Sequence, residues 1–159
     1  MQETLRTMRA KRAETDRGFT LIELLVVVVI IGVLVAIAIP VYLNYQKGAA
    51  DKSTQSDVRA AIAAVEQYYT ENGNRYPLTT EAAVNGQAYE FSAGATVKQK
   101  ATLSSGSTLG YKGVGTPPNS YVICGRNSGG NTTYVYSSTA GGSVRETTQA
   151  DVAACLAAH

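Results

Sequence analysis

The sequence is poor in the residues that most active sites and metal centres use. Its single histidine is His159, it has no tryptophan, and its two cysteines, Cys124 and Cys155, match neither a zinc-binding spacing nor a C-x-x-C redox motif. One terminal histidine leaves no Ser-His-Asp triad, and the glycines follow no phosphate-binding spacing. We therefore expect no enzyme activity, no catalytic residue, no bound metal and no cofactor.

Charged residues are also scarce, at 16% of the 159 residues, against about 25% in a typical soluble domain. Apolar residues are instead concentrated in one run, LLVVVVIIGVLVAIAI, at positions 24–39. A helix over residues 19–39 would be about 30 Å long, which is one hydrocarbon thickness of a bilayer. The sequence therefore predicts one membrane-spanning helix and leaves room for one further domain.

The charges ahead of this run indicate its orientation. Residues 1–18 hold five basic and three acidic side chains, whereas the rest of the chain is neutral. Basic flanks of a span stay in the cytoplasm, so we expect the N-terminus inside and the chain beyond residue 40 outside. Both cysteines then lie in an oxidising compartment, where a pair is more often bridged than free.

A cleaved secretory signal peptide is the alternative interpretation of the same segment. The basic stretch fits its n-region, and Ala36-Ile37-Ala38 fits its cleavage pattern, so a secreted binding protein would begin near Pro40. Glu23 argues against this alternative. A carboxylate within an apolar helix is costly and is usually functional, and a signal peptide gains nothing from it.

The residues RGFTLIEL, from Arg17 to Leu24, resemble the processing site of type IV prepilins and related pseudopilins. In that family a membrane peptidase cuts after the glycine and methylates the new N-terminal amine. The resemblance therefore implies cleavage between Gly18 and Phe19 and N-methylation of Phe19. It also implies an assembly role for Glu23, which pairs with the Phe19 amine of a neighbouring subunit.

The resemblance covers about residues 17–77 and includes Gly32 and Pro40. Both residue types are frequent in membrane helices, but proline removes a backbone hydrogen bond, and the family suggests that this stretch unwinds when subunits join a fibre. The domains we expect are a cleaved basic leader (1–18), a transmembrane and assembly half of the helix (19–40), an amphipathic half (41–73) and a globular head (74–159).

The expected fold class is α+β, a long N-terminal helix packed against an antiparallel β-sheet head in a pilin-like lollipop. A helical stripe supports the amphipathic half, and it consists of Val58, Ala61, Ile62, Val65 and Tyr69. The polar residues ahead of the stripe are expected to be exposed, namely Asp51, Lys52, Ser53, Gln55 and Asp57. Asn72-Gly73 should end the helix. In the head we expect loops at 79–86 and 104–118, a helical turn at Thr148–Leu156, and strands at Gln87–Ser92, Thr96–Leu103, Tyr121–Arg126, Thr132–Ser138 and Ser143–Glu146.

The resemblance also bears on the cysteines and on function. A C-terminal disulfide loop is common in pilins, which implies a Cys124–Cys155 bridge. We expect a major pilin that is processed by prepilin peptidase, held in the cytoplasmic membrane, and then polymerised with itself by the pilus assembly machinery into an extracellular fibre. Adhesion, twitching motility and DNA uptake all stay open as its use.

A major pseudopilin of a type II secretion or DNA-uptake system is the alternative within the same family. Major secretion pseudopilins generally bind calcium through carboxylates of the head, and calcium prefers several anionic oxygens. Between Phe91 and Arg145 the sequence has no Asp or Glu. That composition favours the pilin.

The charges of the outer part of the chain are divided. Residues 51–90 hold six acids and three bases, whereas residues 91–145 hold five bases and no acid. Attraction between an acidic helix and a basic sheet, within or between subunits, is one explanation. The other is a basic outer face that binds DNA without sequence preference. Its candidate residues are Lys98 and Lys100, which would share one face of a predicted strand, and Arg126 from another strand.

Overall fold

The computed structural model describes residues 19–78, 82–83, 86–91 and 98–159. The predicted leader lies outside the described residues, as do 79–81, 84–85 and 92–97. In chain order the elements are α1 (Leu21–Glu71), β1 (Ala82–Ala83), β2 (Ala88–Phe91), β3 (Gln99–Thr102), β4 (Ser107–Gly115), β5 (Pro118–Asn127), β6 (Thr133–Ser137), β7 (Arg145–Thr147) and α2 (Val152–Ala157). The chain divides into two compact units, with the boundary between Tyr42 and Leu43.

Helix α1 is continuous over 51 residues and passes through both Gly32 and Pro40. Its end confirms the predicted stop. After Glu71 the backbone N–H of Asn72 donates to the carbonyl of Tyr68 at 3.0 Å, and Gly73 takes a left-handed φ of 66°. Glycine adopts that conformation without a steric penalty, and it therefore ends helices.

The second half of α1 forms one wall of the core. Val58, Ala61 and Val65 of the predicted stripe are fully buried, whereas Ile62 and Tyr69 are only partly buried. Their small side chains allow the sheet to approach closely, and a Cβ atom on Gly125 of β5 would lie only 2.6 Å from Cγ2 of Val58. This contact can form only if that strand position carries no side chain.

The head contains two antiparallel sheets, so the α+β fold class is confirmed. The larger sheet has the strand order β1-β4-β5-β6-β7, and the smaller one is the β2-β3 hairpin. Aromatic side chains from both sheets fill the core beside α1, among them Tyr89 and Phe91 of β2, Tyr111 of β4 and Tyr121 of β5. The predicted strands at 87–92, 96–103, 121–126, 132–138 and 143–146 correspond to β2, β3, β5, β6 and β7, within a few residues at each end.

Two predicted loops were wrong. The segment 104–118 contains β4, a strand of nine residues, and 79–86 contains the short strand β1. The sequence did not indicate β4 because three of its nine residues are glycines. A glycine has no side chain, so it cannot contribute to the alternation of apolar and polar residues that is typical of a strand. At Gly110 the reason is packing, since a Cβ atom there would lie 2.6 Å from Cγ1 of Val152 on the neighbouring helix.

Helix α2 covers the opposite face of the larger sheet, and it confirms the short helical turn predicted at 148–156. Its buried residues Val152 and Cys155 contact a second apolar cluster that includes Val122, Cys124 and Val135 of β5 and β6. The larger sheet therefore lies between the second half of α1 on one face and α2 on the other.

Candidate processing and assembly site

The N-terminus of α1 is closed by two polar side chains that bond to each other. Thr20 precedes the first helical residue, and its backbone N–H and its hydroxyl both donate to Oε2 of Glu23, at 2.9 and 2.8 Å. The backbone N–H of Glu23 donates to the Thr20 hydroxyl at 3.3 Å. This reciprocal arrangement is a capping box, which satisfies backbone N–H groups that have no partner within the helix.

The capping box adds a structural role to the one predicted for Glu23. The positive end of the helix dipole lies at this terminus, so a carboxylate is electrostatically favoured there. The sequence signal is Thr-x-x-Glu ahead of an apolar run. The resemblance to prepilins drew attention to Glu23 alone and missed Thr20, which holds the carboxylate in place.

The predicted cleavage position lies directly before this cap. Phe19 exposes 84% of its surface, and Gly18 lies outside the described residues. In the uncut chain the nitrogen of Phe19 belongs to a peptide bond and carries no charge. The cationic partner predicted for Glu23 therefore exists only after cleavage, and Thr20 supplies the hydrogen bonds in the chain described here.

The first half of α1 is the surface that the assembly prediction needs. Every large apolar side chain from Leu21 to Tyr42 is between 46% and 83% exposed. Among the described residues, α1 is the one helix that is long and apolar enough to cross a membrane. A Cβ atom on Gly32 would meet nothing within 4 Å, so no contact with a described residue explains this glycine. Unwinding between Gly32 and Pro40 stays a prediction about the fibre.

The predicted disulfide is present. Cys124 of β5 and Cys155 of α2 are bonded to each other across 31 residues of sequence, and both are fully buried. The bridge fixes α2 to the central strand of the larger sheet. The described part of the chain holds no free cysteine.

Carboxylates of α1 face the head, so the predicted exposure of the polar residues that open this half was wrong in part. Asp57 is 6% exposed and accepts from the backbone N–H and hydroxyl of Ser104, at 3.0 and 2.8 Å. Asp51 accepts from the backbone N–H groups of Asn131 and Thr132 at 3.1 and 3.0 Å, and from the Thr132 hydroxyl at 3.1 Å. These bonds fix the β3–β4 and β5–β6 connections on the helix.

Glu66 makes the third such contact and connects α1 to the aromatic core. Its Oε1 accepts from the hydroxyl of Tyr121 at 2.6 Å. The Tyr121 ring contacts Tyr76, Tyr111 and Tyr136, with centroid separations of 5.0, 5.8 and 5.7 Å. Burial, together with the bond to Glu66, raises the pKa of Tyr121 above its ordinary value of 10. The phenol is therefore a neutral donor at physiological pH.

The three predicted DNA-binding side chains lie in or next to two different sheets. Lys98 precedes β3 and forms an ion pair with Glu90 of β2, at 2.8 Å. Lys100 is the register partner of that same glutamate in the hairpin. Arg126 lies on β5 of the other sheet, where its Nη1 donates to the hydroxyl of Thr133 at 3.1 Å.

The part of the chain that the structure describes contains no group of three His, Cys, Asp or Glu side chains that could hold a metal ion. Of its carboxylates, Glu23 caps a helix, Asp51 and Asp57 fix connections, and Glu66 accepts from Tyr121. The features that bear on function are thus the capped, apolar N-terminal half of α1 and the disulfide-linked head.

Comparisons with known proteins agree with the motif. The family described as "Prokaryotic N-terminal methylation motif" matches residues 15–39. The chain is 41% identical over 61 residues to the type IV major pilin protein PilA of Myxococcus xanthus, which covers 38% of this chain and 27% of that protein. It is 48% identical over 62 residues to the type IV narrow pilus major component PilA5 of Thermus thermophilus, covering 39% and 45%.

A second kind of relative is equally similar. The type II secretion system core protein G of Klebsiella michiganensis is 36% identical over 70 residues, covering 44% of this chain and 49% of that protein. The chain thus spans between about a quarter and a half of the length of these curated relatives. The methylation motif, the exposed apolar helix and these likenesses show that the N-terminal part of the chain is similar to type IV pilins and to type II secretion pseudopilins.

Proposed function

We propose that the protein is a major subunit of a type IV pilus. Its precursor is anchored in the cytoplasmic membrane, prepilin peptidase cuts it between Gly18 and Phe19 and methylates Phe19, and the product polymerises through α1. The observation that carries this proposal is the methylation motif at residues 15–39, at the start of a helix whose large apolar side chains from Leu21 to Tyr42 are exposed. The role is structural rather than enzymatic.

Glu23 is the residue that connects processing to polymerisation in this proposal. Before cleavage its carboxylate is held by Thr20. Cleavage creates a charged amine on Phe19, and a neighbouring subunit brings its own amine to the Glu23 carboxylate as it docks. An ammonium and a carboxylate are each costly in an apolar medium, and pairing offsets much of that cost. Docking in the correct axial position is thereby favoured over other positions.

Two features support a pilus rather than a secretion pseudopilus. The head is closed by the Cys124–Cys155 bridge, and the sequence between Phe91 and Arg145 offers no carboxylate for calcium. The second candidate function, a major pseudopilin, is supported by the similarity to core protein G, which is 36% identical over 70 residues. Immunogold labelling of intact cells distinguishes the two, because a pilus is labelled outside the cell and a short periplasmic pseudopilus is not.

Mass spectrometry of the mature protein tests the processing step. The expected product begins at Phe19, carries one methyl group and lacks the 18 residues that precede it. Gly18→Val should give an uncut precursor that remains in the membrane, because a branched side chain does not fit a site shaped for glycine. A mature wild-type protein that begins near Pro40 would instead establish an ordinary signal peptide and a secreted protein.

A further inference from the structure

The larger sheet segregates its charged side chains by face. Its five strands carry three basic residues, Lys112, Arg126 and Arg145, and one acid, Glu146. Because successive side chains of a strand point to opposite faces, the register assigns each of the four to one side. All three bases lie on the face that carries α2, and the acid lies on the α1 face.

The assignment follows from the register partners of these residues. Lys112 pairs with Val122 and Arg145 pairs with Val135, and both valines belong to the apolar cluster beneath α2. Arg126 follows Cys124 of the same cluster by two residues on β5. Glu146 pairs with Tyr134, which belongs to the core beside α1.

The α1 face gathers the remaining acids of this region. Asp51, Asp57 and Glu66 all accept hydrogen bonds from the head, so their charges lie on the helix side of the sheet. On the α2 side, Asp151 is the acid of the segment that leads into α2, and its carboxylate accepts from the backbone N–H of Ala154 at 2.7 Å. The sheet therefore has an acidic side and a basic side.

Two of the three bases can reach a ligand. Lys112 donates to the carbonyl oxygen of Leu156 and serves as a C-terminal cap for α2. Arg126 is held in place, because its Nη1 donates to the Thr133 hydroxyl at 3.1 Å and to the carbonyl oxygen of Asn131 at 3.5 Å. Its remaining N–H groups form no hydrogen bond with a described residue and can donate to a ligand. Arg145 is exposed and is not in an ion pair with any described residue.

Threonine hydroxyls surround these arginines. The register places one row of side chains across four strands on the α2 face, and the row consists of Thr108, Arg126, Thr133 and Thr147. Arg145 belongs to the next row on the same face. Arginine forks and hydroxyl donors are the groups that bind phosphate oxygens.

We propose that this surface, defined by Arg126, Arg145, Thr108 and Thr147, binds the phosphodiester backbone of double-stranded DNA. The strands present no aromatic side chain on the α2 face, so the surface offers no platform for stacking unpaired bases or sugar rings. Contacts to phosphate alone give binding without sequence preference. The repetition of this surface along a fibre rests on the pilus function proposed above. The binding of DNA by the surface of a single chain does not depend on that function.

The β2-β3 hairpin provides a charge-matched control. Lys98 and Lys100 carry the same total charge as the two arginines, but Glu90 forms an ion pair with the first and is the register partner of the second. If net charge alone attracts DNA, removing either pair of bases will have the same effect. If the sheet surface is the site, only removal of the arginine pair will weaken the binding of DNA.

The experiment uses the full-length processed chain in detergent and a fluorescent 30-base-pair duplex, with the affinity measured between about 50 and 200 mM salt. Each phosphate contact contributes about −0.9 to the slope of log affinity against log salt, so Arg126→Gln with Arg145→Gln should reduce the slope by about 1.8. Lys98→Gln with Lys100→Gln should leave the slope unchanged. An equal loss in both variants, or no loss in the arginine variant, overturns the proposal.

Two further measurements keep the result interpretable. Arg145→Gln alone removes no hydrogen bond within the described chain and should reduce the slope by about 0.9 with an unchanged thermal unfolding curve. An unchanged slope in this variant contradicts the site even if the double variant is unfolded.

Polygalacturonate serves as a competitor. If it displaces DNA at a concentration of carboxylates below that of the DNA phosphates, the surface is assigned to acidic polysaccharide instead. Failure to form fibres with normal DNA binding would count against the pilus proposal alone.

Discussion

Between Leu21 and Tyr42, α1 exposes every large apolar side chain, whereas between Thr54 and Tyr68 it buries a stripe of one side only. The backbone is the same continuous helix in both regions. The first region is apolar on all sides, as expected for a helix surrounded by lipid or by other helices. The second has one apolar side, as expected for a helix with water on one side and a sheet on the other.

The difference indicates which contacts the chain provides for itself. The buried stripe is satisfied by the sheet of the same chain, and its contacts determine the stability of the head. The apolar surface of the first region is not covered by any residue that the structure describes, so a membrane or other copies must cover it. Substitutions in the two regions should therefore affect different measurements, namely assembly in the first and unfolding of the head in the second.

The largest expected effect is the loss of fibres in Glu23→Leu. The variant removes the carboxylate that pairs with the amine of a neighbouring subunit, and it also removes the acceptor of the capping box with Thr20. Membrane insertion and cleavage should continue, because leucine suits an apolar helix better than a carboxylate does. Electron microscopy of sheared surface material and mass spectrometry of the membrane fraction measure the two effects separately.

Glu23→Gln is the matched control for that result. Glutamine at the third helical position can still accept from the backbone N–H of Thr20, so the capping box persists while the charge is lost. Fibres should be lost in this variant as well. Normal fibres in Glu23→Gln would show that hydrogen bonding suffices and that the charge pairing proposed for Glu23 is wrong.

Breaking the disulfide should have the largest effect on the head. Cys155→Ser opens a loop of 31 residues, and the chain-entropy estimate for a bridge of that span is about 3–4 kcal/mol of the free energy of unfolding. Urea unfolding of the detergent-solubilised chain, followed by near-ultraviolet circular dichroism, measures the change. Insertion and cleavage should be unaffected. Two reactive thiols per wild-type chain, labelled after denaturation without reductant, would refute the bridge.

Two glycines allow the same change to be made in each region. Gly125→Ala places a Cβ atom 2.6 Å from Cγ2 of Val58, and overpacking of this kind costs about 1–3 kcal/mol of the free energy of unfolding. Gly32→Ala meets nothing within 4 Å, so the free energy of unfolding of the head should not change. A Gly125→Ala chain that unfolds at the wild-type urea concentration would contradict the close packing of helix and sheet.

The long helix could be predicted because two simple patterns determine it. The apolar run and the stripe at Val58, Ala61 and Val65 each follow from spacing alone. Strand β4 could not be predicted, because glycines at positions such as Gly110 are required by contacts with α2, which is distant in sequence. A pattern of local residues contains no information on which distant side chain will occupy the space above a strand.

The candidate site was predictable to the same degree. Gly18, Phe19 and Glu23 follow from a motif within one short segment, whereas the position of the basic side chains depends on strand register. Register places Lys98 and Lys100 beside Glu90, although sequence composition groups them with other bases. Likewise Asp57, one of several polar residues in its segment, is buried because Ser104 lies opposite it.

The smallest expected effect tests the polar contact between α1 and the aromatic core. Tyr121→Phe removes the donor to Glu66, and a hydrogen bond of this kind contributes about 1 kcal/mol to the free energy of unfolding.

The pKa of Tyr121 is raised in the folded chain, chiefly by burial. A raised pKa means that folding favours the protonated phenol, so the associated stability is complete below the ordinary pKa of 10 and decreases as the pH rises above it. Wild-type urea unfolding at pH 8 and pH 11 should show this decrease, and Tyr121→Phe should reduce it without abolishing it, since burial also raises the pKa of Tyr111. An equal alkaline decrease in wild type and variant would show that Tyr121 does not couple ionisation to folding.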